Sequence, residues 1–417
     1  MVITGIVFLL CILFLIKDKY LPSVVLMCGC IALVVLGQCT LQEAFIGFCN
    51  EITFIVLGTE IYGFALIESG TLESFCDKMI SYADRDRKKI VFLCGLAAAA
   101  LSAFLNNQVV CAIMLVLCIS LAQKCKEISV LDITLPIILC AVIGGQCTLI
   151  GAPATIVGAS IMENEIGSTI GMFEMLPIGI ALLVVNLIFM LTVQFKIGEN
   201  IWGNREGMIA NEKNVTAIVK DKKKIKLTVA IGAVMLLLYL TQWVSVGMAS
   251  MIGGVCCILF GVIDGRQTYK EVDWNIIIWL ACSIGITNTL NNSGLIQLIC
   301  EKYLKNFVEN LSPFIILGII IFLVILISNF IANITAVMLI LPIAINIAEM
   351  CGSNKETFSI AVIMAAGMAF ATPLSSGFVG MTTRVGYKFK DYVKYGMIMQ
   401  LMSAVVIYTA TITLYPL

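Results

Sequence analysis

Long apolar segments alternate with short polar stretches from one end of the chain to the other. An apolar helix needs about 20 residues to cross the hydrocarbon layer of a membrane, and segments near this length recur throughout. We predict ten membrane-spanning helices, near residues 2–16, 21–38, 52–69, 131–160, 175–195, 227–243, 246–263, 275–296, 357–383 and 395–415. The pattern is typical of an all-α polytopic membrane protein.

Two further apolar segments, residues 90–123 and 313–348, are too long for a single crossing. Each carries asparagine near its middle, which places an amide at the depth of the bilayer centre. Irregular backbone at that depth is tolerated only where protein buries it or where it lines a cavity. We therefore predict two re-entrant hairpins, each of which enters and leaves the membrane on the same side.

The middles of the two predicted hairpins share one sequence pattern, and a break with proline follows each of them. Residues 101–110 and 327–336 align at a constant separation of 226 positions. The paired residues are Ser102 with Ser328, Phe104 with Phe330 and Asn107 with Asn333, and the breaks are Gly151-Ala152-Pro153 and Ala371-Thr372-Pro373. Polar tips and interrupted helices at matching places in two halves indicate a transporter with a site at the membrane midplane.

Composition and charge support this class and orient the chain. Hydrophobic residues make up 60% of the sequence and charged residues 12%, whereas about a quarter of a soluble domain is charged. With the N-terminus outside, every Lys and Arg falls on one side of the membrane except Lys302, Lys305 and Lys355. The excess of basic residues predicts that this side is cytoplasmic.

The same topology divides the chain into two repeats, each with five transmembrane helices and one re-entrant hairpin. The first repeat covers residues 1–195, a cytoplasmic basic linker covers 196–226, and the second repeat covers 227–417. Because five is an odd number, the second repeat must be inverted relative to the first. We expect a multi-pass protein of the plasma or inner membrane with both termini outside.

The predicted tips suit the binding of small ions. Hairpin tips and broken helices expose backbone carbonyls together with Asn and Ser oxygens, which coordinate monovalent cations, while helix N-termini favour anions. No Lys or Arg lies within either tip or break, so an anionic substrate would need bound cations to balance its charge. Glu60, in the middle of a predicted span, is a candidate proton site.

The tips and breaks resemble the ion transporter superfamily, and most closely its divalent anion:sodium symporters, which carry dicarboxylates and citrate. The resemblance extends from residues 41–48 to residues 386–392. It implies sodium as the coupling ion, a homodimer and an elevator motion of a transport domain past a scaffold. It implies one sodium site from Ser102, Asn107 and Gly151, and a second from Ser328, Asn333 and Ala371.

The resemblance also implies a substrate site at the two tips and breaks. Its residues are Asn107, Gln108, Ala152 and Pro153 from the first half, and Asn333, Ile334, Thr372 and Pro373 from the second. The family has threonine where this chain has Gln108 and Ile334, so both tip hydroxyls are missing. Thr335 and Ser375 are candidates to replace part of that chemistry. The sodium elements are therefore better preserved than the carboxylate elements.

The leading hypothesis is sodium-coupled uptake of a small anion, such as a di- or tricarboxylate. A sodium/proton antiporter or an arsenite-type oxyanion efflux permease of the same superfamily is the first alternative, and a channel is the second. The chain has no histidine and no visible pair of a nucleophile and a base, which argues against an enzyme. We expect partners to be the lipid bilayer and a small anion, with no organic cofactor and no nucleic acid.

Overall fold

The computed structural model describes residues 2–17, 20–71, 74, 86–124, 129–202, 221–241, 243–295, 311–372, 379–380 and 382–417. Over these residues the chain is helical and contains no β-strand, which confirms the all-α prediction. Three helical segments, Lys222–Thr241, Asn333–Met350 and Phe389–Leu414, are long and apolar enough to cross a membrane, and seven further apolar helices are shorter.

The first half of the chain contributes ten described helices, and a 3-10 turn over Ile46–Cys49 follows the third of them. The helices are α1 (Val2–Lys17), α2 (Pro22–Val35), α3 (Leu41–Ala44), α4 (Glu51–Glu68), α5 (Arg87–Ser102), α6 (Asn107–Lys124), α7 (Val130–Gly145), α8 (Pro153–Ile166), α9 (Leu176–Thr192) and α10 (Gln194–Ile201).

The second half contributes nine described helices, a 3-10 turn over Thr382–Val385 and a π-helical turn over Tyr392–Gly396. The helices are α11 (Lys222–Thr241), α12 (Val246–Leu259), α13 (Gly265–Glu271), α14 (Trp274–Asn292), α15 (Pro313–Ser328), α16 (Asn333–Met350), α17 (Lys355–Ala366), α18 (Phe389–Asp391) and α19 (Met397–Leu414).

Each predicted hairpin is a pair of helices joined by a four-residue turn. In the first half the turn covers residues 103–106, between helices of 16 and 18 residues. In the second half it covers residues 329–332, again between helices of 16 and 18 residues. The structure therefore places both turns at the predicted asparagine motifs. Entry of each hairpin from a single side of the membrane stays a prediction.

The predicted spans 131–160 and 357–383 are not continuous helices. The first is divided into α7 and α8 by non-helical backbone over residues 146–152, and in the second the helix ends at Ala366. Gly144 and Gly145 end α7, and Pro153 occupies the first turn of α8. Proline lacks an N–H and glycine gains least from helix formation, so these residues favour an interruption.

Two parts of the predicted linker are helical. Residues 196–201 belong to α10, and residues 222–226 open α11, so helix extends into the linker at both ends. Trp202, just after α10, is only 2% exposed, which places the start of the linker against the body of the protein. Residues 203–220 lie outside the described residues.

The helices pack as two groups. In the flanking group, α1–α4 and α11–α14, α4 lies along α12 and α2 lies along α14. In the hairpin group, α5–α10 and α15–α19, α5 lies on α7 and α15 lies on α17. Contacts between the two groups are made mainly by α8 and α16, which meet α14.

Glycines allow the close packing of the flanking group. A Cβ built on Gly58 of α4 would lie 2.3 Å from the carbonyl carbon of Ser250 in α12, and one on Gly285 of α14 would lie 1.9 Å from the Ala44 carbonyl oxygen. Small residues of this kind let helix backbones touch inside a membrane, where van der Waals packing drives association.

Pro136 interrupts the hydrogen bonds of α7, and side chains from elsewhere repair the gap. Because Pro136 has no N–H, the Asp132 carbonyl loses its helical donor, and Gln194 Nε2 donates to it at 2.6 Å. The Tyr387 hydroxyl accepts from Leu135 N at 3.0 Å and donates to the Leu131 carbonyl oxygen. These bonds fasten α7 to α10 and to the segment before α18.

We predict that Gln194→Met destabilises the protein, because it keeps the side-chain length but leaves the Asp132 carbonyl without its donor. The loss of a buried donor costs about 1–3 kcal/mol, so the thermal unfolding midpoint of the detergent-purified protein should fall. Gln38→Met is the matched control, because Gln38 Nε2 makes an exposed bond to the Leu36 carbonyl oxygen. Equal midpoints for the two variants would contradict the role given to Gln194.

Candidate functional site

The first hairpin tip holds its serine and asparagine against each other. Ser102 is the last residue of α5 and Asn107 is the first residue of α6, so both side chains flank the turn. The Ser102 hydroxyl donates to Asn107 Oδ1, and both residues are buried. The pattern Ser-x4-Asn therefore brings two oxygens to one point inside the hairpin group.

The first break closes over this point. A Cβ built on Gly145 would lie 1.9 Å from Asn107 Oδ1, and one built on Gly151 would lie 2.5 Å from the carbonyl oxygens of Ser102 and Gly145. Only glycine fits at either position without displacing these atoms. Ser102, Asn107 and Gly151, which were predicted as one site, are thus brought together, and Gly145 is an additional member.

Backbone polar groups of the first break have partners in protein. The Thr148 hydroxyl donates to the Ala103 carbonyl oxygen in the tip, and Leu149 N donates to the Met172 carbonyl oxygen at 3.0 Å. These bonds fix the break against the tip on one side and against the loop before α9 on the other.

The second tip and break meet through a different residue. Asn329, directly after Ser328, accepts from Ala371 N at 3.0 Å and donates to Gln400 Oε1 at 3.2 Å. The Thr372 hydroxyl donates to the Asn329 carbonyl oxygen at 2.5 Å. Ala371 and Thr372 therefore lie at the second tip as predicted, while Asn329 and Gln400 were missed.

The serine hydroxyls of the two tips differ in their hydrogen bonding. The Ser328 hydroxyl is buried and has no hydrogen-bond partner among the described residues, whereas the Ser102 hydroxyl is bonded to Asn107. Asn333 opens α16 and is half-buried, and Thr335 is buried one turn into that helix. Gln108 is the second residue of α6. The predicted residues Pro373 and Ser375 lie outside the described residues.

Gln146, at the end of α7, connects the two breaks and was not predicted. Its Oε1 accepts from the Thr155 hydroxyl at 3.3 Å, and a Cβ built on Gly367 would lie 2.2 Å from its Nε2. Gly367 follows α17, where the second break begins. The side chain of Gln146 thus lies directly on the backbone of the second half.

Glu60 contacts the first tip from the flanking group. Asn106 Nδ2 donates to Glu60 Oε1 at 2.7 Å. Glu60 lies on α4 and Asn106 in the turn before α6, so this bond joins the two helix groups. Glu60, predicted as an isolated candidate, therefore lies next to the predicted site.

Three helices begin at residues of the tips and of the first break. The α6 helix begins at Asn107, α8 at Pro153 and α16 at Asn333. The N-terminus of a helix carries unpaired N–H groups and a partial positive charge, which favour anions. The site thus combines neutral oxygens, which suit a monovalent cation, with N–H groups, which suit an anion.

Comparison with known proteins identifies the family of this chain. A family model described as citrate transporter (CitMHS) matches residues 11–367 of the chain. The chain belongs to the citrate transporter family. It is therefore a membrane transporter and not an enzyme. The narrower resemblance to divalent anion:sodium symporters stays a prediction.

Relatives of this citrate transporter family protein are transporters as well. An uncharacterized transporter of Methanocaldococcus jannaschii is 26% identical over 388 residues, which is 92% of this chain and 85% of the relative. The uncharacterized transporter YfbS of Escherichia coli is 32% identical over 147 residues, 34% of this chain and 24% of the relative.

A solved structure shows the same fold. The crystal structure of the YdaH transporter of Alcanivorax borkumensis superimposes with a TM-score of 0.65 over 91% of this chain and 86% of that one, at 11% sequence identity. At this identity the likeness concerns the fold alone. The overall helical fold is therefore one already seen in a transporter.

We predict that Gly367→Ala lowers the thermal midpoint and that Gln146→Ala restores part of it. The added Cβ displaces the Gln146 amide, and removal of that amide gives the methyl group room. Contacting residues show interaction energies of about 0.5–3 kcal/mol, which a four-variant cycle of thermal unfolding measures. Gly171→Ala is the control, because its Cβ would have no neighbour closer than 3.5 Å. Additive effects of the two substitutions would contradict the contact.

Proposed function

We propose that this transporter takes up a small anion, of which a di- or tricarboxylate is the first class to test, driven by sodium ions. The observation that carries the proposal is the meeting of each hairpin tip with its break. In the first half Ser102, which bonds Asn107, meets Gly151, and in the second half Asn329, next to Ser328, meets Ala371. Carbonyl, amide and hydroxyl oxygens at interrupted helices are suitable ligands for sodium.

The second tip gives this proposal its strongest chemical support. The Ser328 hydroxyl is fully buried in an apolar helix and has no acceptor or donor among the described residues. A buried polar group without a partner costs free energy and calls for a ligand or another explanation. A sodium ion shared with Asn333 and the backbone near Ala371 satisfies this oxygen. The first tip supplies the corresponding site from Ser102, Asn107 and Gly151.

Charge balance favours coupled binding of cation and anion. No lysine or arginine belongs to the tips or the described parts of the breaks, so the substrate site offers an anion helix N-termini but no fixed cation. Moving an anion alone into such a low-dielectric site is costly. Two bound sodium ions would balance the two negative charges of a dicarboxylate, which is a physical reason for symport.

Contacts between helix ends support inverted repeats. Ser23 N donates to Asn275 Oδ1 at 3.1 Å, which places the starts of α2 and α14 at one end of the protein. Gly247 N donates to Glu51 Oε1 at 2.9 Å, which places the starts of α4 and α12 together. If α2 and α4 cross the membrane in opposite directions, α12 runs opposite to its counterpart α2. The proposed repeats are residues 1–195 and 227–417.

The two helix groups support an elevator mechanism. The hairpin group carries all the tip and break residues, while the flanking group touches it mainly through α14. Few contacts between two well-packed groups favour a rigid-body displacement of one past the other. In this proposal the flanking group is the scaffold and also forms the interface of a homodimer.

One contact favours a second candidate function, proton exchange. Glu60 is an acid in the middle of α4, and Asn106 donates to it at 2.7 Å from the first tip. A carboxyl group there can carry a proton past the site while it holds the tip. This contact supports a sodium/proton antiporter or an oxyanion efflux permease, the alternative within the same superfamily.

We predict that sodium stabilises the purified protein and that each tip serine contributes to the effect. Ligand at 100 times its dissociation constant stabilises by about 2.7 kcal/mol, so sodium should raise the thermal midpoint above that in choline at equal ionic strength. Ser102→Ala, Ser328→Ala, Asn107→Ala and Asn333→Ala should each reduce the shift. Ser359→Ala is the control, since its hydroxyl bonds only the Lys355 carbonyl of its own helix.

If sodium does not change the thermal unfolding midpoint of the wild-type protein, the assignment of sodium as the coupling ion is contradicted. A normal sodium response in all four variants would contradict the site assignment instead. The two failures are therefore distinguishable in one set of measurements.

We predict that Glu60→Gln retains sodium-driven anion uptake in proteoliposomes to within roughly threefold, because a glutamine oxygen still accepts from Asn106. Glu68→Gln, on the same helix, is the matched control. A transport flux that a pH gradient drives in the wild-type protein, and that is lost in Glu60→Gln but not in the control, would contradict the symporter and support the antiporter.

A further inference from the structure

An apolar groove runs along α11, between the flanking group and the first hairpin. Tyr62 of α4 lines it from the flanking group, and Leu105 of the first tip and Ile150 of the first break line it from the hairpin group. These three side chains are buried. Val229 and Leu236 of α11 also line the groove, and they are 53% and 36% exposed. The groove therefore has a closed floor between the two groups and an open side on α11.

The open side of the groove faces hydrocarbon when the protein is in a membrane. α11 is one of the described helices that are long and apolar enough to cross a membrane, and it packs mainly on α12. Its groove residues extend from Val229 to Tyr239, which is about 15 Å along a helix. That length is about half of the hydrocarbon layer, the depth of one lipid leaflet.

The size of the groove selects a narrow occupant. Its volume is about 230 Å³, whereas 15 Å of a helix 10–12 Å across fills more than about 1,000 Å³. A transmembrane helix of a second copy is therefore too wide. An extended acyl chain has the length, the width and the apolar surface that the groove requires.

Lysines lie at one end of the groove. The first residues of α11 include Lys222, Lys223, Lys224 and Lys226. Lys222 and Lys226 precede Val229 by seven and three residues, so they share the helix face that leads into the open side of the groove. Both side chains are exposed. Lys223 and Lys224 precede Val229 by six and five residues, which places them on other faces of the helix.

The charge at this end of α11 favours an anion. One acid, Asp221, adjoins the lysines, and its carboxylate accepts from the backbone N of Lys223 at 2.9 Å. Four lysines against one aspartate leave an excess of positive charge. Basic clusters at the end of a transmembrane helix attract anionic lipid head groups, and lysine stems can lie along apolar surface while the ammonium group stays in water.

We propose that this groove is a binding site for an anionic phospholipid. One acyl chain lies along Val229 and Leu236, and the lipid phosphate is held by Lys222 and Lys226. Binding of the lipid depends neither on the transported substrate nor on the coupling ion. In the proposed elevator mechanism the acyl chain lies between the scaffold and the moving hairpin group, so anionic lipid would also change the transport rate.

The first test compares two pairs of lysines on the same helix. Detergent-purified protein is titrated with phosphatidylglycerol or phosphatidylcholine, and native mass spectrometry gives the fraction of protein with bound lipid. We expect wild type to prefer phosphatidylglycerol. The double variant Lys222→Gln with Lys226→Gln should weaken phosphatidylglycerol binding by roughly tenfold. The control, Lys223→Gln with Lys224→Gln, removes the same charge and should leave the affinity within about twofold of wild type.

The second test fills the groove. Val229→Trp and Leu236→Trp each place a large side chain in the path of the acyl chain, so each should weaken the binding of both lipids by roughly fivefold or more. Val234→Trp is the matched control, because Val234 is 52% exposed on the same helix and does not line the groove. Soluble glycerol phosphate, which has the head-group charge without the acyl chain, should not compete with the lipid.

Four results would overturn the inference. Equal loss of binding in the two lysine pairs assigns the effect to the overall charge of the helix. Lipid affinity that is unchanged in both groove variants, or reduced equally in Val234→Trp, removes the acyl chain from the groove. Competition by glycerol phosphate indicates a site for free phosphate. Dimerisation that Val229→Trp abolishes, without bound lipid in wild type, assigns the groove to a second copy. The thermal midpoint without lipid identifies any variant that fails to fold, and the other groove variant then decides.

Discussion

The rule that a polar backbone group inside a membrane must have a partner governs this structure. The breaks after α7 and after α17 expose backbone groups that would have hydrogen-bond partners in a continuous helix. Threonine hydroxyls bond the tip carbonyls of Ala103 and Asn329, and the amide of Asn329 accepts from Ala371. Each break is therefore bonded to its own hairpin tip. The candidate site forms because the interrupted helix and the hairpin tip supply hydrogen-bond partners to each other.

The same rule explains why the two halves are similar but not identical. In the first half Ser102 bonds Asn107 and glycines at 145 and 151 let the break approach. In the second half Asn329 connects the tip to the break, and the Ser328 hydroxyl has no partner among the residues that the structure describes. We expect the two tips to bind the same ion with unequal affinity. An ion that enters the first tip must first break the bond between Ser102 and Asn107, whereas an ion that enters the second tip meets no such bond at Ser328. In the proposed symport mechanism this favours ordered loading, with the second tip filled first.

The candidate site lies in the hairpin group, and the flanking group packs beside it. Glu60 reaches the hairpin group from α4, where it accepts a hydrogen bond from Asn106 of the first tip. In the proposed elevator mechanism this contact lies where one group would slide past the other, so it would be made in one arrangement and lost in the other.

The sequence alone determined the class of protein, the two hairpin turns, the two breaks and the pairing of Ser102 with Asn107. These follow from local patterns: apolar length, amide position, and glycine or proline in a helix. The roles of Asn329, Gln146 and Gln400 were decided only by tertiary structure. Asn329 has no polar counterpart in the first half, where Ala103 stands, and the other two act across 9 to 221 positions on residues that only folding brings near. The physical reason is that a hydrogen-bond partner is selected by proximity in space, which the order of residues does not contain.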